Sequence, residues 1–194
     1  MAWGRYKNSG CEIFEDVAAA TCGRVVLTPG DAGYSGATKH SNNTGELTAL
    51  LRAVEQESAQ PDASSVEFCV DSVYAINVAT GKWILRRKNR ELGRRLNRAM
   101  AALRVRRGFK RVVLRHVRAH AKNVGNETAD ALAKAAMRDG DFGNDGARVL
   151  QFARATFSDG GVAAGPPGVC GDVGGPSQQH DQQRQELGQE LGVG

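Results

Sequence analysis

Apolar residues in the first third of the chain fall into short clusters and then into a helical repeat. Three clusters, separated by turn-forming Asn, Gly and Pro residues, predict short strands or bent hairpins at residues 3–6, 11–17 and 23–28. A repeat with the i, i+3, i+4, i+7 spacing follows, and it consists of Leu47, Leu50, Leu51 and Val54. This spacing gives a helix one apolar face, with Thr44 as its predicted N-cap.

The middle of the chain alternates between strand and helix patterns. Strand patterns occupy residues 66–70 and 111–117, and helix patterns begin at Ser72, Arg90 and Asn126. The run at 66–70 is almost continuously apolar, which is typical of a strand buried on both faces. In the second strand the alternation turns His116 inward, where a structural role is expected. Strands followed by this alternation predict an α/β fold with helices packed on the sheet.

Composition divides the 194 residues into one domain and a tail. Residues 1–138 are predicted to be globular, and residues 139–194 are rich in Gly, Pro and Gln, which predicts a mostly disordered tail with one short helix at 147–157. No long apolar stretch predicts a membrane span or a signal peptide. The four cysteines form no C-x-x-C pair, which argues against zinc. We therefore expect an intracellular protein, cytoplasmic or nuclear, that is monomeric or part of a larger polypeptide.

Positive charge is concentrated in one segment. Between Lys82 and Lys122 there are 16 Lys and Arg residues and a single acid, Glu91, while the rest of the chain is acidic on balance. Such a stripe indicates a polyanionic partner, most simply a nucleic acid. The alternative is an ordinary solvated helix face.

Three carboxylates lie where predicted helices start or a predicted strand ends. They are Glu46, Asp71 and Asp130. Each one alone is explained by the favourable interaction of an acid with a helix N-terminus. Together they are hard oxygen ligands of the kind that Mg²⁺ and Mn²⁺ prefer. Hydrolysis of a phosphodiester bond with divalent metal ions is therefore the leading hypothesis.

The segments that surround these acids resemble the ribonuclease H family, type 1. The resemblance is carried by residues 42–49, 70–74 and 116–133, with Lys88-Asn89 as a further match. It implies a ribonuclease H-like mixed sheet flanked by helices. It also implies an endonuclease that cuts the RNA strand of RNA–DNA hybrids by a two-metal mechanism with Mg²⁺ or Mn²⁺.

The same resemblance assigns roles to individual residues. Glu46, Asp71 and Asp130 would hold the metal ions, and His120 would transfer protons from a mobile loop. The substrate-binding residues that it implies are Ser41, Asn42, Asn43, Trp83, Asn89 and Asn126. Among these, Asn42 and Asn43 would read the 2′-hydroxyl of RNA, and Ser41 and Asn89 would contact a phosphate of the DNA strand. For Trp83 we favour packing on the core over stacking on a sugar. The phosphate-neutralising surface would consist of Arg86, Arg87, Lys88, Arg90 and Arg94.

One element of the family pattern is not found in the chain. The family's first strand ends in a catalytic Asp, and Trp3-Gly4 resembles the beginning of the second strand, so we expect an N-terminally incomplete domain. That strand is central in the family, and without it two neighbouring strands would have unpaired backbone groups. A competing placement uses residues 12–16 as the first strand and Asp16 as the ligand. The alternative functions are an inactive hybrid- or RNA-binding module and a truncated, retroelement-derived fragment.

Overall fold

A computed structural model describes residues 2–8, 14–61, 64–118, 124–138 and 146–161 of the chain. Its elements in chain order are β1 (Ala2–Asn8), β2 (Phe14–Cys22), α1 (Asn42–Ala59), β3 (Val66–Val70), α2 (Val73–Ala79), α3 (Arg90–Arg107), a 3₁₀ turn (Phe109–Arg111), β4 (Val112–His116), α4 (Val124–Arg138) and α5 (Gly146–Gly161). The predicted α/β class is confirmed, with helices and a parallel strand pair. Within these ranges no helix is both long enough and apolar enough to cross a membrane.

The described strands form two separate sheets of two strands each. β1 and β2 pair antiparallel, with irregular register after Arg5 and again after Lys7. β3 and β4 pair parallel, with Val66 opposite Val112 and Val70 opposite His116. A two-stranded sheet is at best marginally stable alone, so each pair depends on the helices that pack against it.

The main core lies between α1, α2, α3 and the β3–β4 sheet. The predicted apolar face of α1 is buried, and it packs with the inward residues of α3. Those residues are Leu92, Leu96, Met100 and Leu103. Complete burial of each large aliphatic side chain contributes about 1.5–3 kcal/mol relative to exposure, so this interface is a principal source of stability.

A second packed region joins the two ends of the described chain. α4 contacts β1 and β2, and α5 contacts both β2 and α4. Leu132 on α4 and Val149 and Ala153 on α5 are buried. The helix that the sequence predicts at 147–157 is therefore present and is longer than expected. Because it packs on other elements, the folded part of the chain extends beyond residue 138.

A buried ion pair connects the C-terminal ends of α1 and α3. Arg107 Nη2 lies 3.2 Å from Glu57 Oε2, and the two side chains are only 1% and 7% exposed. The same guanidinium donates to the backbone oxygens of Glu57 (2.7 Å) and Ser64 (3.3 Å). Arg106 donates a further bond of 3.0 Å to the Glu57 oxygen. These donors add to the bond of 3.3 Å that the Gln60 N–H makes to the same carbonyl at the end of α1.

Three sequence predictions about the strands were wrong. Residues 23–27 have no regular secondary structure, although a strand was expected there. In β3 only Phe68 is buried, while Glu67 and Cys69 are exposed, so this strand has one buried face. His116 is exposed because β4 ends there, and its Nε2 donates to the backbone oxygen of Asp71 (3.2 Å).

The exposed face of the β3–β4 sheet carries a small polar cluster. Arg115 Nε donates to Glu67 Oε1 at 2.7 Å, and Arg115 Nη2 lies 3.3 Å from Cys69 Sγ. Although Cys69 is exposed as a residue, partial desolvation of its sulfur raises the pKa of the thiol above its ordinary value, and the Arg115 charge partly offsets that effect. The thiol is therefore protonated at neutral pH and is a weak nucleophile.

Candidate nucleic-acid interface

The N-terminus of α1 presents the first of the predicted substrate-binding residues. Ser41 is the N-cap, one turn earlier than expected, and its Oγ accepts from the Thr44 backbone N–H (3.2 Å). Thr44, the predicted cap, instead has its own hydroxyl 2.9 Å from Ser41 Oγ. Asn42 is exposed and Asn43 is buried. Of the two amides expected to read RNA, the structure therefore makes Asn42 accessible to a ligand.

Asn89 lies at the beginning of α3 and joins that helix to α1. It is 0% exposed and has a left-handed backbone with φ of 55°. Its Oδ1 accepts from the Thr38 backbone N–H (3.0 Å) and lies 3.3 Å from Thr38 Oγ1. Its Nδ2 donates to Thr44 Oγ1 at 2.9 Å. The predicted phosphate contact therefore belongs to a side chain whose amide is already engaged on both sides.

Residues 33–38, here called the strap, run between α1 and α3. Arg52 of α1 donates to the Gly33 oxygen (2.6 Å), and Arg95 of α3 donates to the Tyr34 oxygen (3.1 Å). Gly36 has φ of +96°, and a Cβ atom there would lie 2.6 Å from the backbone nitrogen of Leu92. The strap can approach α3 this closely only because residue 36 has no side chain.

Exposed cations cover the loop before α3 and the first half of that helix. They are Lys82, Arg86, Arg87, Lys88, Arg90, Arg94 and Arg98. This set, here called the basic surface, includes every residue predicted to neutralise phosphates. Arg90, Arg94 and Arg98 recur every four residues and so lie along one side of α3. The side chain of Ile84, 71% exposed, lies within the same stretch of sequence.

Other basic residues of the same segment have structural bonds instead. Arg95 bonds Glu55 (3.0 Å) as well as the strap, and Arg107 forms the buried pair with Glu57. Arg115 bonds Glu67. The charge excess read from the sequence is thus divided between cations that face solvent and arginines that bond other parts of the protein, of which only Arg107 is buried.

The three predicted metal ligands lie on different elements. Glu46 is half-buried on α1, and Asp71 is exposed directly after β3. Asp130 lies on α4, where Lys134 Nζ is 2.6 Å from its Oδ2. α4 packs against β1 and β2, whereas Asp71 ends a strand of the other sheet.

Across the part of the chain that the structure describes, no group of three or more His, Cys, Asp or Glu side chains is arranged to hold a metal ion. Glu46, Asp71 and Asp130 therefore do not form a shared metal centre in this structure. Their assignment as ligands stays a prediction from the sequence.

The remaining predicted site residues lie in different parts of the chain and differ in exposure. His120 lies outside the described residues. Asn126 is half-buried in the first turn of α4. Trp83 is half-buried, with its ring centroid 6.1 Å from that of Tyr74, so it packs on the core as favoured. Asp16, the alternative ligand, lies in β2 opposite Lys7 of β1.

Three residues that bond to Asn89 or to the strap were not identified from the sequence. They are Thr38, Arg52 and Arg95. Thr38 follows a run of small residues that fits no helix or strand period. The two arginines could not be separated from their solvated neighbours by composition. Arg95 is distinguished by its bonds to Glu55, 40 positions away, and to the Tyr34 oxygen, 61 positions away, and both are tertiary contacts.

Comparison with known proteins identifies one family. A family model described as RNase H matches residues 12–138, which include every element from β2 to α4. The match covers more than half of the chain. No curated protein sequence and no solved structure matches it.

Proposed function

Because the chain belongs to the RNase H family, we propose that it is a type 1 enzyme that hydrolyses the RNA strand of RNA–DNA hybrids. RNase H domains act on the RNA of such hybrids and generally use divalent metal ions. The observation that carries the proposal is the family match, which is continuous over the described elements from β2 to α4. The exposed charge and the α1 N-terminus supply independent support.

Phosphate binding is assigned to the basic surface. Its seven cations are exposed along one loop and one helix, with Glu91 as the one acid among residues 82–98. Each cation that neutralises a phosphate releases condensed counterions, so hybrid binding should weaken steeply with salt. This attraction does not distinguish RNA from DNA.

Discrimination between RNA and DNA is assigned to the N-terminus of α1. Asn42 is exposed there and can donate to or accept from a 2′-hydroxyl. Ser41 precedes Asn42 and is half-buried. Its contact with a phosphate of the DNA strand is part of the proposal. The basic surface thus provides phosphate contacts that are independent of sequence, and the N-terminus of α1 provides a contact that is specific to the sugar.

Divalent ions, when bound, would activate water and neutralise charge on the leaving oxygen. The three carboxylates expected to hold them lie on different elements, as described above. The exposed cations alone are enough for a second candidate, a hybrid-binding module without turnover. It would keep the basic surface and Asn42, and it would need no metal centre.

The two candidates are separated by a cleavage assay on a hybrid labelled in its RNA strand. We expect cleavage of the hybrid with Mg²⁺ and no cleavage of duplex DNA. For Asp71→Asn we expect a loss of at least about 100-fold in kcat, which corresponds to about 2.7 kcal/mol of transition-state stabilisation. Asp31→Asn is the matched control, because Asp31 is an exposed acid in a loop outside the proposed site. Tight, salt-sensitive hybrid binding without cleavage would support the module. Absence of both binding and cleavage would refute both candidates.

A further inference from the structure

We propose that the C-terminal end of α3 and the 3₁₀ turn after it bind single-stranded nucleic acid, with the ring of Phe109 as a platform on which one base stacks. The ligand class is single-stranded RNA or DNA, bound without sequence preference. The proposal goes beyond hybrid cleavage, and it requires no metal ion and no residue of the basic surface. The site, here called the second basic surface, consists of five exposed residues: Val105, Arg106, Phe109, Lys110 and Arg111.

The first argument is the exposure of apolar side chains at this end of α3. The side chain of Phe109 is 69% exposed, whereas the other aromatic residues whose exposure the structure describes are buried or half-buried. Val105, four positions earlier, is 76% exposed. A phenylalanine left in water forgoes the stability that its burial would contribute. The end of α3 therefore presents an aromatic face that the described part of the protein leaves largely uncovered.

The second argument is the backbone that carries the ring. Gly108 ends α3 with φ of +92°, and its N–H donates to the Arg104 oxygen at 2.8 Å. The Arg111 N–H donates to the Gly108 oxygen at 3.0 Å, which closes the 3₁₀ turn that contains Phe109. The next residue, Val112, is buried and begins β4. Because the turn is fixed at both ends, little conformational entropy is lost when a ligand contacts the ring.

The third argument is the sign of the surrounding charge. Arg106, Lys110 and Arg111 are exposed, and no acid occurs in the sequence at residues 92–126. Glu57 lies near this end of α3, but it is buried and paired with an arginine, so it adds no exposed negative charge. A surface of this kind attracts phosphate groups through the release of their counterions.

The combination of charge and aromatic surface selects the ligand. A duplex offers phosphates but keeps the faces of its bases inside the stack, whereas a single strand offers both phosphates and base faces. An anionic membrane would also meet the positive charge, but membrane-bound helices have a broad apolar face. Here only Val105 and Phe109 supply large exposed apolar side chains among residues 104–111. An exposed ring between cations therefore fits a single strand better than either alternative.

The second basic surface is separate from the basic surface at the other end of the same helix. α3 has 18 residues, so at about 1.5 Å per residue its two ends lie about 27 Å apart. Substitutions at Phe109 therefore leave the proposed hybrid contacts near Arg90 in place. The same separation allows the two surfaces to be tested independently.

Equilibrium binding of labelled single strands to the full chain, without metal, tests the proposal. The probes are oligo(U) RNA and oligo(dT) DNA of about 12 nucleotides, together with an abasic strand that has the same phosphates and no bases. Phe109→Ala removes the ring, and Phe109→Trp retains an aromatic platform. Val113→Ala is the matched control, because it shortens another exposed apolar side chain, 45% exposed, that lies outside the second basic surface.

We expect Phe109→Ala to weaken binding of both base-containing strands by about fivefold or more, and Phe109→Trp and Val113→Ala to stay within about twofold of the wild type. The abasic strand should bind the wild type and Phe109→Ala equally. In Phe109→Trp, stacking should quench tryptophan fluorescence beyond the change seen in the wild type. Lys110→Ala should reduce the slope of log K against log salt by about 0.7.

Unchanged affinity of Phe109→Ala for both base-containing strands would overturn the proposal, and so would an equal loss of affinity for the abasic strand. Vesicles of phosphatidylcholine and phosphatidylserine test the alternative partner. Vesicle binding that depends on Phe109, with unchanged binding of the strands, would overturn the proposal in favour of a membrane surface. Hybrid cleavage by the wild type tests the proposed function separately, because that reaction does not require Phe109.

Discussion

The buried pair between Arg107 and Glu57 makes one prediction that can be worked from the structure. Replacing Arg107 with Met keeps most of the aliphatic volume and removes the guanidinium from a site where the two side chains are 1% and 7% exposed. Glu57 then loses its counter-charge inside the protein. Removing one partner of such a pair costs about 3–5 kcal/mol, so we expect a loss of this size in the free energy of unfolding.

The backbone oxygens that accept from Arg107 add only slightly to that cost. The Glu57 oxygen still receives bonds from Arg106 (3.0 Å) and from the Gln60 N–H (3.3 Å), so it keeps partners in the variant. Ser64 is exposed, so water can replace the lost donor there. Most of the expected destabilisation therefore comes from the carboxylate.

The reverse change should cost less. Glu57→Gln removes the negative charge, but the guanidinium keeps the backbone oxygens of residues 57 and 64 as acceptors. The change removes the negative charge of this ion pair but keeps an amide oxygen that can accept from Arg107, so we expect a loss of about 1.5–3 kcal/mol. The double variant should be more stable than the sum of the two losses implies, by about 0.5–3 kcal/mol.

Urea denaturation, followed by far-ultraviolet circular dichroism and by the fluorescence of Trp83 beside Tyr74, measures these differences. Arg106→Met is the matched control, because Arg106 is exposed and donates only to the Glu57 oxygen, so a loss of about 0.5–1.5 kcal/mol is expected. An Arg107→Met variant no less stable than this control, or a Glu57→Gln variant less stable than Arg107→Met, would refute the reasoning.

Three further predictions follow from other parts of the structure. Gly36→Ala should lower the melting temperature more than Gly30→Ala, since both have positive φ but only the first would press a Cβ against α3; equal effects would contradict the close packing of the strap. Partial desolvation raises the pKa of Cys69, so the pH at which its alkylation reaches half of the maximal rate should lie above that of an unhindered cysteine. Arg115→Met should raise this pH further, because it removes the charge that stabilises the thiolate; no change would argue against the contact between the two residues. A protein ending at Arg138 should unfold at lower urea and bind a hydrophobic dye, as α5 buries Val149 and Ala153; unchanged stability would show that α5 is dispensable.

The two long helices α1 and α3 were largely predictable because each has an apolar repeat longer than two turns. α1 and α3 were located from such repeats, and the structure buries the same leucines. Helix ends were less accurate, since Ser41 and Thr44 are both good caps and only tertiary contacts select between them. Thr44 turns its hydroxyl toward Asn89, 45 positions away.

The strands and the candidate site were harder to predict, because the contacts that determine them join residues far apart in the sequence. The apolar run at 66–70 gave no indication that one face of β3 would stay exposed, since Cys69 is compatible with either environment. Asn89 was found through its motif, but its burial depends on Thr38 and on a glycine in the strap. The structural use of Arg107 was likewise hidden in a segment that reads as uniformly cationic.

The packing of β1–β2 against α4 and α5 has a consequence for the order of folding. Residues 42–116 form a contiguous stretch that contains most of the main core, so they can collapse through comparatively local contacts. The β1–β2 hairpin is synthesised first, yet its covering helix α5 does not begin until Gly146. At ordinary rates of synthesis this interval is on the order of ten seconds. During translation, the β1–β2 pair therefore waits for both α4 and α5, and this interval exposes nascent chains to aggregation and to chaperones.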